Sequence, residues 1–194
     1  MPRIEAPTVA EHNAMRRRQV VDAAALVLSE VGASGFTPAA VAKQAGLARS
    51  SMYQYYPSTE ALLGAAVAEM LERSRDRMVT AVAAATTPKD RVAAYVREAI
   101  ADATSGHATV PDLSGMQMPE VCREGVRALH DELLAPLRIA LEDAEVADPE
   151  MASVLVRGLV NGAVSAAKHG APREPLIEAT IDFVLRGVGL RAAS

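Results

Sequence analysis

The chain has 194 residues, of which 50% are hydrophobic, 23% charged and 3% aromatic, with a net charge of −4. That length is one large domain or two small ones, and the apolar share excludes disorder as the default state. A single cysteine, Cys122, excludes an internal disulfide and any zinc site built from several thiolates of one chain.

Residues 1–12 carry Pro2 and Pro7 without periodicity and read as a flexible arm. Val20, Ala24, Val27, Leu28 and Val31 recur at helical spacing and predict a helix over about 13–31, stopped by Gly32 and Gly35. Thr37-Pro38 opens a second helix, with Thr as N-cap and Pro at the first helical position, and Gly46 ends it. A third, short helix runs from Arg49 to Tyr55 before Pro57. Ser58 caps a long fourth helix over about 59–84 whose stripe is Leu62, Leu63, Ala66, Val67, Met70 and Leu71. Further helices are expected over about 89–104, with Val92, Tyr95, Val96, Ala99 and Ile100, and over about 119–144, with a kink at Pro136. Between them, residues 105–119 read as an irregular loop. Asp148-Pro149 starts a helix to about 169, and Glu174 to Leu190 is the last. No window alternates with the period of a strand. The expectation is an all-α chain of about nine helices.

The acidity is uneven. Residues 1–60 hold six Lys and Arg against five Asp and Glu, and the rest holds 14 of the 20 basic and 19 of the 24 acidic residues. No charged start precedes an apolar run of secretory type, and apolar runs break well before the roughly 18–20 residues of a membrane span. A reduced, cytoplasmic protein with no membrane segment is expected.

The second and third helices, joined by a turn containing Gly46, have the helix-turn-helix pattern. Val41, Ala42 and Ala45 form the inner face of the first of them, and small alanines allow a close crossing. Met52 and part of the Tyr53–Tyr56 cluster anchor the second. Arg49, Ser50, Ser51 and Gln54 are left facing outward with Tyr53 or Tyr55, the short and hydrogen-bonding set that a helix in the major groove needs. Three of the four tyrosines fall within residues 53–56, where hydroxyls can meet phosphates while the rings pack. The plainer alternative is a small helical core with a tyrosine lid.

Residues 14–64 resemble the DNA-binding domain of the TetR family of transcriptional regulators. The resemblance rests on Thr37, Val41-Ala42-Lys43-Gln44-Ala45-Gly46-Leu47, Tyr53-Gln54-Tyr55-Tyr56, and Ser58 through Leu62-Leu63. Two positions depart from the family pattern: Ala48 stands where Ser or Thr usually caps the recognition helix, and Thr59 where a Lys often meets a phosphate. The resemblance implies a flexible arm over 1–12, a DNA-binding domain over 13–58 and an effector-binding and dimerisation domain over 59–194. By the same resemblance Thr37 would meet a phosphate, as would Tyr53 and Tyr55. Arg49, Ser50, Ser51 and Gln54 would read bases or phosphates. Lys43 and Arg16 complete the expected DNA-binding set, with Arg16, Arg17 and Arg18 near the backbone at the start of the first helix.

In that family the remainder is a helical bundle that binds a small effector and dimerises through its last two helices. Val154, Leu155, Gly158, Leu159, Gly162 and Ala166 on one helix, and Ile177, Ile181, Val184 and Val188 on the other, are the expected interface. Gly158, Gly162 and Ala166 form a row of small residues at i, i+4 and i+8, which permits close helix approach. The alternative is that both faces pack inside one chain. Met70, Ser74, Met78, Tyr95, His107, Met116, Met118, Cys122 and Val126 are candidate effector contacts, although methionines at helical spacing also build ordinary core.

Catalytic signals are lacking. Gly187-Val-Gly189-Leu-Arg-Ala192 fits a dinucleotide-type glycine string but follows no strand and opens no helix. Cys122 and His130 lie two turns apart on one helix, about 12 Å along its axis, too far to pair. No catalytic residue, metal or cofactor is expected. The expected partners are double-stranded DNA, a small-molecule effector and a second copy of the chain. The sequence therefore reads as a ligand-responsive dimeric regulator, a repressor released from a palindromic operator by a small apolar effector. The alternative is a helical small-molecule-binding protein with weakened or lost DNA binding.

Overall fold

The computed structural model describes residues 9–105 and 120–190, and for residues 9, 10, 33, 120–123, 126 and 130 the backbone alone. The described residues form eight helices and no strand. They are α1 (Val9–Gly35), α2 (Pro38–Gln44), α3 (Arg49–Tyr55), α4 (Thr59–Ala83), α5 (Pro88–Thr104), α6 (Glu120–Asp143), α7 (Pro149–Lys168) and α8 (Arg173–Gly187). Helix starts follow their capping chemistry. The side chains of Thr37, Thr87 and Asp148 accept the N–H three residues on at the heads of α2, α5 and α7, each followed by Pro. Ser58 does the same for α4 through Ala61 N–H at 3.1 Å.

Contacts divide the chain into two compact units. The described residues of the first are 9–70 and 120–126, and those of the second 71–105 and 127–190. The division falls inside α4, beyond the 58/59 boundary that the resemblance implies. The reason is that Leu62, Leu63, Ala66 and Val67 of α4 are all buried and belong to the first unit.

In the first unit α1, α2 and α3 pack mutually. The buried stripe of α1 is Val20, Ala23, Ala24, Val27 and Leu28. α1 begins at Val9, so residues 9–12 are helical, while the rest of the expected arm lies outside the described residues. Val31 continues the apolar spacing yet is 49% exposed. Gly32 (φ 67°, ψ −176°) takes the chain out of helical geometry one residue later, and the next buried anchor is Phe36.

In the second unit α5, α7 and α8 pack against one another. Their core holds Val92, Tyr95, Val96, Ile100, Val156, Val160, Ala163, Ile177, Ile181 and Val184, together with Met78 of α4 and Leu137, Ala140 and Leu141 of α6. Ion pairs tie neighbouring helices at the surface: Arg75–Glu132 and Arg91–Asp143 at 2.7 Å, Arg97–Glu178 at 2.5 Å and Arg138–Glu150 at 3.0 Å. Exposed pairs of this kind contribute little each, about 0–1 kcal/mol, so the apolar core carries the unit. Pro136 sits within α6, where its missing N–H leaves one backbone carbonyl without a helical donor.

Candidate nucleic-acid interface

The geometry of α2 and α3 follows from three local devices. At the head of α2, Thr37 Oγ1 accepts the Ala40 N–H at 3.1 Å, which leaves the hydroxyl hydrogen of Thr37 to donate outward. Pro38 has no N–H, so the amide of Ala39 is what that helix end can still offer an anion. At its foot, Gly46 (φ 66°) supplies the left-handed residue of a Schellman closure. Leu47 N–H donates to Ala42 O at 2.9 Å and Gly46 N–H to Lys43 O at 3.3 Å. The chain is thereby turned into α3 within a few residues.

On α3, Met52 is 2% exposed, and Tyr56, the residue that ends the helix, is 7% exposed. Val41 and Ala42 of α2 are buried. With Met52 turned inward, helical spacing puts Ser50 and Gln54 on the opposite side of α3 and Tyr53 on its flank, while Arg49 stands at the helix start. All four are exposed, Tyr53 to 48%, while Ser51 and Tyr55 are half-buried. Thr37 and Lys43 are also exposed and Arg16 is half-buried. The first unit thus holds all nine candidate positions on α1, on α2 with its cap, and on α3.

α3 lacks a side-chain cap. Ala48 occupies that place in an extended conformation, and only its carbonyl serves, accepting Ser51 N–H at 2.9 Å. Ala48→Ser is therefore expected to stabilise the protein by about 1 kcal/mol, read as a shift in urea midpoint at constant slope. An unchanged midpoint would mean that α3 is held by its tertiary anchors alone. Thr59 starts α4, followed by Glu60, whose carboxyl is held below its ordinary range by its own backbone N–H and by Ser58. A carboxylate at that end opposes a phosphate there.

The candidate effector contacts separate. Met70, Ser74, Met78 and Tyr95 are all buried, Met70 in the first unit and the other three in the second. Met78 and Tyr95 share one core cluster. Burial pushes the Tyr95 phenol up to about 12 against a small opposing pull from Arg157, so the ring is neutral near pH 7. Ser74 is 4% exposed and donates to Asp102 Oδ2 at 2.5 Å, and Asp102 also accepts from Arg77. His107, Met116 and Met118 lie outside the described residues, and for Cys122 and Val126 only the backbone is described. A surface groove of about 370 Å³ in the second unit is lined by Asp76, Arg77, Thr80, Ala81 and Glu98, none of them among the candidates.

The expected dimer set needs correction on α8. Ile177, Ile181 and Val184 are 1%, 7% and 2% exposed and belong to the core of their own chain, because α8 packs its apolar stripe on α5 and α7. Val188 and Leu159 are partly buried against the same core. What α8 turns outward includes Phe183, 62% exposed. Phe183 falls off the 177–181–184 spacing, and that offset was the available signal for it. On α7, Val154 (49%) and Leu155 (60%) are exposed, as is Met151. Gly158 and Gly162 are exposed too, and a Cβ added at either would meet nothing within 4 Å, while Ala166 is half-buried.

No described helix is long and apolar enough to cross a membrane. Residues 20–66 match the family model described as bacterial regulatory proteins, tetR family. A curated relative, the HTH-type transcriptional regulator BetI of Rhizobium meliloti (strain 1021), is 37% identical over 83 residues. That stretch is 43% of this chain and 41% of the relative, so the similarity spans less than half of either. Among solved structures, a TetR transcriptional regulator from Chloroflexus aurantiacus J-10-FL shares the fold at TM-score 0.77 and 20% identity, over 93% of this chain and 97% of that one. AibR, solved in complex with isovaleryl coenzyme A and operator DNA, does so at TM-score 0.69 and 18% identity, over 87% of this chain and 97% of that one. Residues 20–66 are thus similar to the tetR family of bacterial regulatory proteins, and the solved structures share the fold of the described helices.

Proposed function

We propose that this chain is a dimeric, ligand-responsive repressor that binds a palindromic operator and leaves it when a small apolar effector binds the second unit. The observation that carries the reading is the outward face of α3: Arg49, Ser50, Tyr53 and Gln54 exposed while Met52 and Tyr56 are buried. A helix held this way offers guanidinium, amide and hydroxyl donors to base edges and phosphates. Two copies related by a two-fold axis would place their α3 helices in successive major grooves about 34–36 Å apart. The exposed apolar positions of α7, with Phe183 of α8, support an isologous interface that makes such a pair.

The effector would act by favouring a state whose α3 helices no longer match that spacing. An acyl or similarly hydrophobic group is the class of effector that this reading expects, and AibR is a structural neighbour solved with isovaleryl coenzyme A. The protein would act in the cytoplasm, by binding and not by catalysis.

The uncapped α3 and the Thr59-Glu60 start of α4 favour a second reading, a ligand-binding bundle whose DNA contacts have weakened. Gel-shift titration against the DNA upstream of its own gene separates the two. The repressor reading expects sequence-selective binding that falls steeply with salt, because cations on the protein displace counterions from phosphates. Absence of any selective complex, with a ligand-induced rise in melting temperature, would instead support the second reading.

A further inference from the structure

Arg16, Arg17 and Arg18 are consecutive on α1, and successive helical residues point about 100° apart. The three arginines therefore cannot form one basic patch. Arg16 donates to Gln19 Oε1 on its own helix at 3.2 Å. Arg17 turns to Tyr56 instead. Its guanidinium carbon lies 4.9 Å from the centre of the Tyr56 ring, and its Nε donates to the Tyr56 hydroxyl at 3.3 Å. Tyr56 is the residue on which α3 stops: it leaves helical geometry (φ −135°, ψ 122°) and its N–H closes the last turn onto Met52 O at 3.0 Å. A side chain 39 residues upstream thus grips the end of the helix.

That grip matters because α3 has little holding it from within. It has seven residues and no side-chain cap at its start. A helix so short is marginal by itself and takes its orientation from tertiary anchors. The buried anchors are Met52 in its middle and Tyr56 at its end, and Tyr53 and Gln54 lie between them. Any swing of Tyr56 moves the two side chains best placed to meet a groove.

We propose that Arg17 is a positioning residue for DNA recognition, setting the attitude of α3 through Tyr56 instead of contacting a phosphate itself. The inference rests on the reading of α3 as the recognition helix. A planar guanidinium over a tyrosine ring, with its Nε–H on the hydroxyl, makes both contacts from one rigid group, which the compact point charge of an ammonium reproduces only in part. A phosphate contact, by contrast, needs only a cation.

The test is operator binding by fluorescence anisotropy across a sodium chloride series, with the full chain and its Arg17→Met and Arg17→Lys variants. Arg17 is exposed, so both variants are expected to fold, and a thermal melt checks this. Both are expected to lose affinity by about threefold to tenfold, with the slope of log K against log salt unchanged from wild type. Lysine restores the charge but not the planar group, so it does not restore wild-type affinity. Wild-type affinity in either variant would overturn the proposal. So would a slope in Arg17→Met shallower by about 0.9, the loss of one phosphate contact. If the wild-type chain itself shows no selective binding, the repressor reading has failed and this inference fails with it. Selective wild-type binding with unaffected variants removes the inference alone.

Discussion

Replacing Arg49, Tyr53 and Gln54 together by alanine is expected to abolish sequence-selective DNA binding while the fold survives. All three side chains are exposed, and none of them contributes to the buried set of the first unit. Alanine is the best helix former, so the triple change does not weaken α3 as a helix. Each good base-edge pair discriminates by about 1–3 kcal/mol. Three lost groups in each of two half-sites therefore remove at least about 100-fold in affinity, at about 1.4 kcal/mol per tenfold. Anisotropy titration of a labelled operator measures the loss, and circular dichroism with thermal melting shows whether the helices are intact. Full retention of binding by a folded triple variant would mean that the outward face of α3 is not the reading surface.

The second large effect is expected from Leu155→Asp. Leu155 is 60% exposed on α7, beside Gly158 and Gly162, which have open space around them. Within one chain the substitution disturbs nothing buried. In a two-fold pair it sets a carboxylate against its own symmetry mate and an apolar surface, with the desolvation that this entails. The expected outcome is a protomer of normal helicity that sediments as a monomer at micromolar concentration. Operator affinity should fall by roughly 100-fold or more, because two linked half-sites bind far more tightly than one. A variant that remains dimeric would move the interface away from this face of α7.

The two units differ in how much the chain alone discloses. Thr37-Pro38 and Gly46 act within a few residues of themselves, so the start and stop of α2 are readable from local chemistry, and the burial of Val41, Ala42 and Met52 follows from helical spacing. The stripes Leu62–Leu71 and Val92–Ile100 are legible in the same way, and they are buried as the spacing predicts except for Ala99, which is half-buried. Spacing says that a stripe is covered but not by which chain. Ile177, Ile181 and Val184 therefore looked equally suited to a partner and to the core that they occupy. Methionine spacing has the same ambiguity: Met78 would look alike in a core and in a cavity wall, and it is in the core. The contact between Arg17 and Tyr56 spans 39 residues and has no local signal, since nothing in the run 16–18 distinguishes its middle member. The cluster of Ser74, Arg77 and Asp102, from two helices, was invisible for the same reason.

Entry of the exposed side of α3 into the major groove, in pairs, is tested by methylation interference at guanine N7 on a bound operator fragment. N7 lies in the major groove, so only a protein seated there is blocked by its methylation. Two interfering patches are expected on one face of the duplex, centred about one helical turn apart, or a whole multiple of it. A selective complex that tolerates N7 methylation throughout, or that is blocked in a single patch only, would contradict that expectation.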